Sequence, residues 1–102
     1  MKTTTPVTIL NVDDNEVARY AISRTLRHAG FTVIEAATGR EALQALATSR
    51  PALVLLDVYL PDCSGFEICR QIKRDAALMF TVVRLLPADL RYTADSGSHA
   101  WK

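Results

Sequence analysis

Ala52-Leu53-Val54-Leu55-Leu56-Asp57 decides the architecture: an unbroken apolar run of strand length that stops on a carboxylate. A strand with one wet face alternates apolar and polar residues. A run without alternation reads as a strand covered on both faces, as in a parallel sheet under helices. Pro51 ends the segment before it, and that segment, Arg40 to Ala47, is made of helix formers. It opens on Thr38-Gly39-Arg40-Glu41, the form of a capping box, in which the Thr38 hydroxyl accepts a first-turn N–H and Glu41 reaches back. Further upstream, Phe31-Thr32-Val33-Ile34-Glu35-Ala36 reads as a strand, preceded by Gly30 at a helix stop. From Asn15 to His28, Val17, Ala21, Ile22, Thr25 and Leu26, with Ala29 just beyond, recur at three and four residues, the spacing of a helix. Val7-Thr8-Ile9-Leu10-Asn11-Val12 is the first strand. Downstream, Phe66 to Arg74 is expected to be helical with Phe66, Cys69 and Ile72 on one side, and Thr81 to Leu86 to be a fourth strand.

The order β-α-β-α-β-α-β predicts an α/β fold, a doubly wound parallel sheet with right-handed crossovers. In such sheets ligands bind beyond the carboxyl ends of the strands, where the strand order reverses. That rule selects Asp13 and Asp14 after the first strand and Asp57 after the third. Three converging carboxylates cannot all stay ionised at low cost without a cation. Mg²⁺ suits them, because it takes oxygen ligands, keeps several waters and is commonly held by one or two carboxylates plus a phosphate. A carboxylate beside it can serve as a nucleophile towards phosphorus. Asp13 and Asp14 would equally suit the N-terminus of the following helix, so their position alone does not separate the two roles.

The bulk numbers exclude several other classes. The chain has 102 residues, enough for one domain, and 49% of them are hydrophobic. Twelve Lys and Arg against eleven Asp and Glu leave a formal net charge of +1, no electrostatic basis for nucleic acid or an anionic membrane as a partner. No apolar run approaches the roughly 18 residues of a membrane span. Met1 to Pro6 lacks a signal-peptide core. Cys63 and Cys69, with His28 and His99 distant in sequence, form neither a disulfide framework nor a zinc motif, and a cytoplasmic location is expected.

Three segments resemble the receiver domains of response regulators. Val12-Asp13-Asp14-Asn15-Glu16 is similar to their acidic-pair motif. Leu53 to Gly65, with Asp57, Leu60-Pro61 and Gly65 in series, is similar to their phosphorylation segment, and Ala37 to Leu43 to the start of their second helix. The likeness covers about residues 7 to 86. It implies a flavodoxin-like receiver fold in a two-component phosphorelay. Asp57 would accept a phosphoryl group from a histidine kinase or histidine phosphotransfer protein. Asp14, with Asp13 directly or through water, would hold Mg²⁺ together with Asp57 and the backbone carbonyl of Tyr59. Pro61, which fixes φ, and Gly65, which tolerates unusual backbone angles, would shape the loop. Such a domain is a signalling phosphoacceptor and not an enzyme beyond slow phosphotransfer and dephosphorylation on itself.

The C-terminal quarter departs from that pattern. Where receivers end strand four on Ser or Thr followed by Ala, this chain has Leu86-Pro87-Ala88, and proline offers no hydroxyl. Arg84 stands in a strand that the family fills with aliphatics. Residues 89–102 show no fifth aliphatic strand, no phosphate-binding lysine and no fifth helix, so residues 1–88 read as an incomplete receiver and 89–102 as an atypical tail. A phosphorylation-independent interaction module is the alternative. A phosphohydrolase is disfavoured, since the second acid it needs two residues after the nucleophile is replaced by Tyr59. A sheet face short of helical cover also predicts a homodimer.

Overall fold

The computed structural model describes residues 6–75 and 82–86. Strands and helices alternate through them: β1 (Thr8–Val12), α1 (Glu16–His28), β2 (Thr32–Ala36), α2 (Gly39–Ser49), β3 (Leu53–Asp57), α3 (Gly65–Arg74) and β4 (Val82–Leu86). The four strands form one parallel sheet in the order β2-β1-β3-β4. This is the expected α/β receiver-type fold. Thr81, Pro87 and residues 89–102, in which no fifth strand or helix is expected, lie outside the described residues.

Alternation along the strands sorts the side chains between the two faces. Leu10, Val12, Ala36, Val54 and Leu56 turn to the side of α2 and α3, where they pack with Ala42, Leu46, Ile68 and Ile72 into one buried cluster. Ile9 and Asn11, one step out of phase, turn to the α1 side. There the packing departs from the apolar stripe expected for the first helix. Val17 is 79% exposed, Ala21 is exposed, Ile22 and Leu26 are half-buried, and the residue that α1 buries is Ser23. Asn11 explains this: its Nδ2 donates to Ser23 Oγ at 3.1 Å and to the Arg19 carbonyl at 3.1 Å, so a polar strand residue selects a polar helix face. On α3 the inward residues are Ile68 and Ile72, whereas Phe66, expected inside, is 58% exposed.

The helix ends follow local chemistry. Asn15 caps α1 by accepting from Ala18 N. Gly30 takes φ 99 after the last turn, with its N–H on Arg27 O and that of Phe31 on Leu26 O, a double bond pattern that needs the left-handed residue between. Thr38 accepts from Glu41 N, and Glu41 reaches back one residue further than a capping box requires, to Ala37 N. Among the described residues no helix is long and apolar enough to cross a membrane.

Candidate functional site

The sheet order puts β1 between β2, its neighbour through α1, and β3 on its other side. The winding direction reverses between β1 and β3, and their carboxyl ends border the crevice where α/β sheets bind ligands. Register then sets the neighbours: Val12 is level with Leu56, so one residue further along Asp13 meets Asp57. Each of Asp13, Asp14 and Asp57 offers a carboxylate oxygen, and these oxygens lie within 4.8 Å of one another. Asp13 and Asp57 are 4% and 2% exposed, while Asp14 faces solvent. The three residues selected by topology from the sequence are therefore brought together.

Their surroundings orient them. Asp13 N donates to Ala36 O at 3.0 Å, tying the end of β1 to β2, and Asp13 Oδ1 accepts from Asn15 N at 2.9 Å. Because Asn15 takes the capping position, Asp14 is left out of the cap and open to the crevice. Asp57 Oδ1 accepts from Tyr59 N at 3.1 Å. The loop after β3 turns back on itself, with Tyr59 bridged to Ser64, Leu60 N on Cys63 O, and Gly65 N on Val58 O at 2.7 Å. Tyr59 is exposed beside the site and Pro61 lies at the outer, solvent-facing part of the loop. Gly65 has a different role from the one its sequence position implies. Its φ is not in the left-handed region, but a Cβ there would run into the Asp57 carbonyl oxygen, so glycine allows α3 to start against the end of β3.

Asp62 carries no motif that singles it out in the sequence. Its carboxylate accepts from Gly39 N at 2.8 Å and Arg40 N at 3.0 Å, pinning the loop after β3 to the N-terminus of α2. Those two backbone donors hold its carboxyl below the ordinary value of 3.8. Burial, with the Asp62 charge beside it, raises the Cys63 thiol above its ordinary value, so this thiol stays protonated at neutral pH.

Residues 9–88 match the model of the response regulator receiver domain family. The chain belongs to that family. This receiver domain is 46% identical over 68 residues to the response regulator MprA of Mycolicibacterium vanbaalenii, a match that covers 67% of this chain and 29% of that protein. Among solved structures it superposes on the chemotaxis response regulator CheY4 of Vibrio cholerae with a TM-score of 0.77 and 34% identity, over 79% of this chain and 68% of that one. On the response regulator TrrA of Thermotoga maritima, solved with Mg²⁺ and BeF, the TM-score is 0.75 and the identity 30%, over 87% and 76% of the two chains. The match thus spans less than a third of the length of MprA, and membership of the family places the domain in two-component signalling.

Proposed function

We propose that this receiver domain accepts a phosphoryl group on Asp57 with Mg²⁺ held by Asp13 and Asp14, taking it from a histidine kinase or a histidine phosphotransfer protein. The observation that carries this reading is the convergence of three carboxylate oxygens within 4.8 Å at the switch point, two of the residues being almost wholly buried. Such a set fits a hard divalent ion, since burying these charges side by side is costly without a cation and oxygen is the donor Mg²⁺ takes. That TrrA, similar in fold, was solved in complex with Mg²⁺ and BeF supports the choice of Mg²⁺. Bound there, the ion would neutralise the cluster and the charge on incoming phosphoryl oxygens.

The rest falls to the chain's own groups. Tyr59 N–H orients the Asp57 carboxylate through Oδ1, and a carboxylate oxygen of Asp57 attacks phosphorus as the donor's phosphorus–nitrogen or phosphorus–oxygen bond breaks. The Tyr59 carbonyl is the expected backbone ligand of the ion. Pro87 supplies no hydroxyl to the transferred group, so transfer is expected to be slow. The domain acts as a cytoplasmic signalling acceptor rather than an enzyme with an external product. The carboxylate cluster favours this reading over a phosphorylation-independent interaction module, which has no use for it.

Incubation with Mg²⁺ and acetyl phosphate, followed by intact mass, tests it. One phosphoryl increment is expected, dependent on Mg²⁺ and absent in Asp57→Asn. An increment of equal size in Asp57→Asn would move the acceptor elsewhere.

A further inference from the structure

Arg19 stands one turn into α1 and reaches the acidic turn from behind. Its NH1 donates to the Asp13 carbonyl at 2.7 Å and its Nε to Glu35 Oε1 on β2 at 3.1 Å, with the side chain only 17% exposed. The other Glu35 oxygen lies 3.6 Å from Arg27 NH1. The backbone of Arg19 is held as well, its N–H on Asn15 O at 2.9 Å and its carbonyl by buried Asn11. One residue therefore connects β1, the β1–α1 turn, α1 and β2. Asp13 and Asp14 project from that turn, which is also held by the bonds from Asp13 N to Ala36 O and from Asn15 N to Asp13 Oδ1.

We infer that Arg19, anchored by Glu35, is a positioning residue for the Asp13–Asp14 pair: it fixes the Asp13 carbonyl and so the angle at which both carboxylates face the crevice. The inference rests on the metal reading given above. A planar guanidinium with two donors in fixed relation can bridge a carboxylate and a carbonyl as a rigid strut, which a lysine ammonium cannot do. Glu35 has a second effect. It pairs the guanidinium charge, so a cation can bind beside Asp13 without facing an unneutralised arginine. Supporting groups of this kind, one shell behind the ligands, set ligand direction and hence affinity.

Charge and position make opposite demands, and that separates them. Removing a positive charge from behind an acidic cluster should tighten Mg²⁺ on Coulomb grounds alone. Loss of a strut should weaken it. In calorimetric titrations with Mg²⁺, Arg19→Gln is expected to bind roughly tenfold more weakly than wild type. Glu35→Gln should also bind more weakly, and the double variant no more weakly than Arg19→Gln alone, because the two act as one unit. In the metal-free protein, amide exchange at Asn15 should quicken in Arg19→Gln as the turn loosens. Equal or tighter Mg²⁺ binding by Arg19→Gln, with Asp14→Asn clearly weakened, would overturn the positioning role. If Asp14→Asn binds Mg²⁺ as wild type does, the metal reading is what fails, and the Asn15 amide decides the role of Arg19: faster exchange upholds it and unchanged exchange overturns it. Should Arg19→Gln fail to fold, Glu35→Gln carries the same two readouts, and wild-type behaviour in both overturns the proposal.

Discussion

Asn11 sits between Leu10 and Val12 in the buried part of β1, and it organises the polar side of the sheet. Its amide feeds Ser23 and the Arg19 carbonyl, and Ser23 and Arg19 both bond Glu35. Hydrogen bonding from Ser23, then the bond and charge of Arg19, hold the Glu35 carboxyl below its ordinary value of 4.5 against an opposing effect of burial. A carboxyl whose folded value is depressed contributes stability that is full above its unfolded value and lost as pH falls through the folded one. Wild type should therefore exceed Glu35→Gln in thermal midpoint at neutral pH, with the gap closing below about pH 4.5. A gap that persists unchanged into acid would show that Glu35 does not titrate through this network. The network was not legible in the sequence, because Arg19 and Ser23, the partners of Asn11, lie off the apolar stripe by which the first helix is read. Apolar spacing alone favours Val17 inside, where the structure has Ser23.

Between elements, small geometric allowances decide the fit. Gly65 is buried because α3 begins in contact with the last residue of β3, and any side chain there meets the Asp57 backbone. Gly65→Ala should cost about 1–3 kcal/mol in urea unfolding, the usual range for a group forced into packed surroundings. It should also displace the backbone of Asp57, so Mg²⁺ affinity falls with stability. A variant as stable as wild type would mean that the loop shifts freely, and would remove the packing account of this glycine. The strands themselves were readable because an unbroken apolar run such as Ala52 to Leu56, bounded by Pro51 and Asp57, fits little except a strand covered on both faces. The acids at their ends were readable because the topology selects that edge. The face of α3 was not. Phe66 precedes Ile68 and Ile72, and only the turn that places Gly65 inward settles which side of the helix follows it into the core. The Asp62 link to α2 joins segments far apart in sequence, so local patterns carried no sign of it.

Across the whole molecule the two sheet faces are unequal. α2 and α3 cover one, whereas among the described residues α1 alone lies on the other, leaving Leu53 and Leu55 half-buried and Ala21, Ile22, Thr25 and Leu26 around an open hollow. Apolar surface of that kind favours a covering partner, and the expected outcome in solution is a homodimer. Light scattering on an eluting peak checks it: a species of 11.2 kDa at high micromolar concentration would count against the dimer. The strand order has one more effect, on time rather than form. β1 meets β2 across one helix but meets β3 across two, so the β1–β3 seam closes the longest loop among the described pairings. Long-range pairings of this sort are slow to nucleate and are expected to arrive late in folding. Asp13 and Asp57 become neighbours only when that seam is made. A partly folded chain has no acidic crevice, and the moment at which Mg²⁺ first binds during refolding would mark the closing of the sheet.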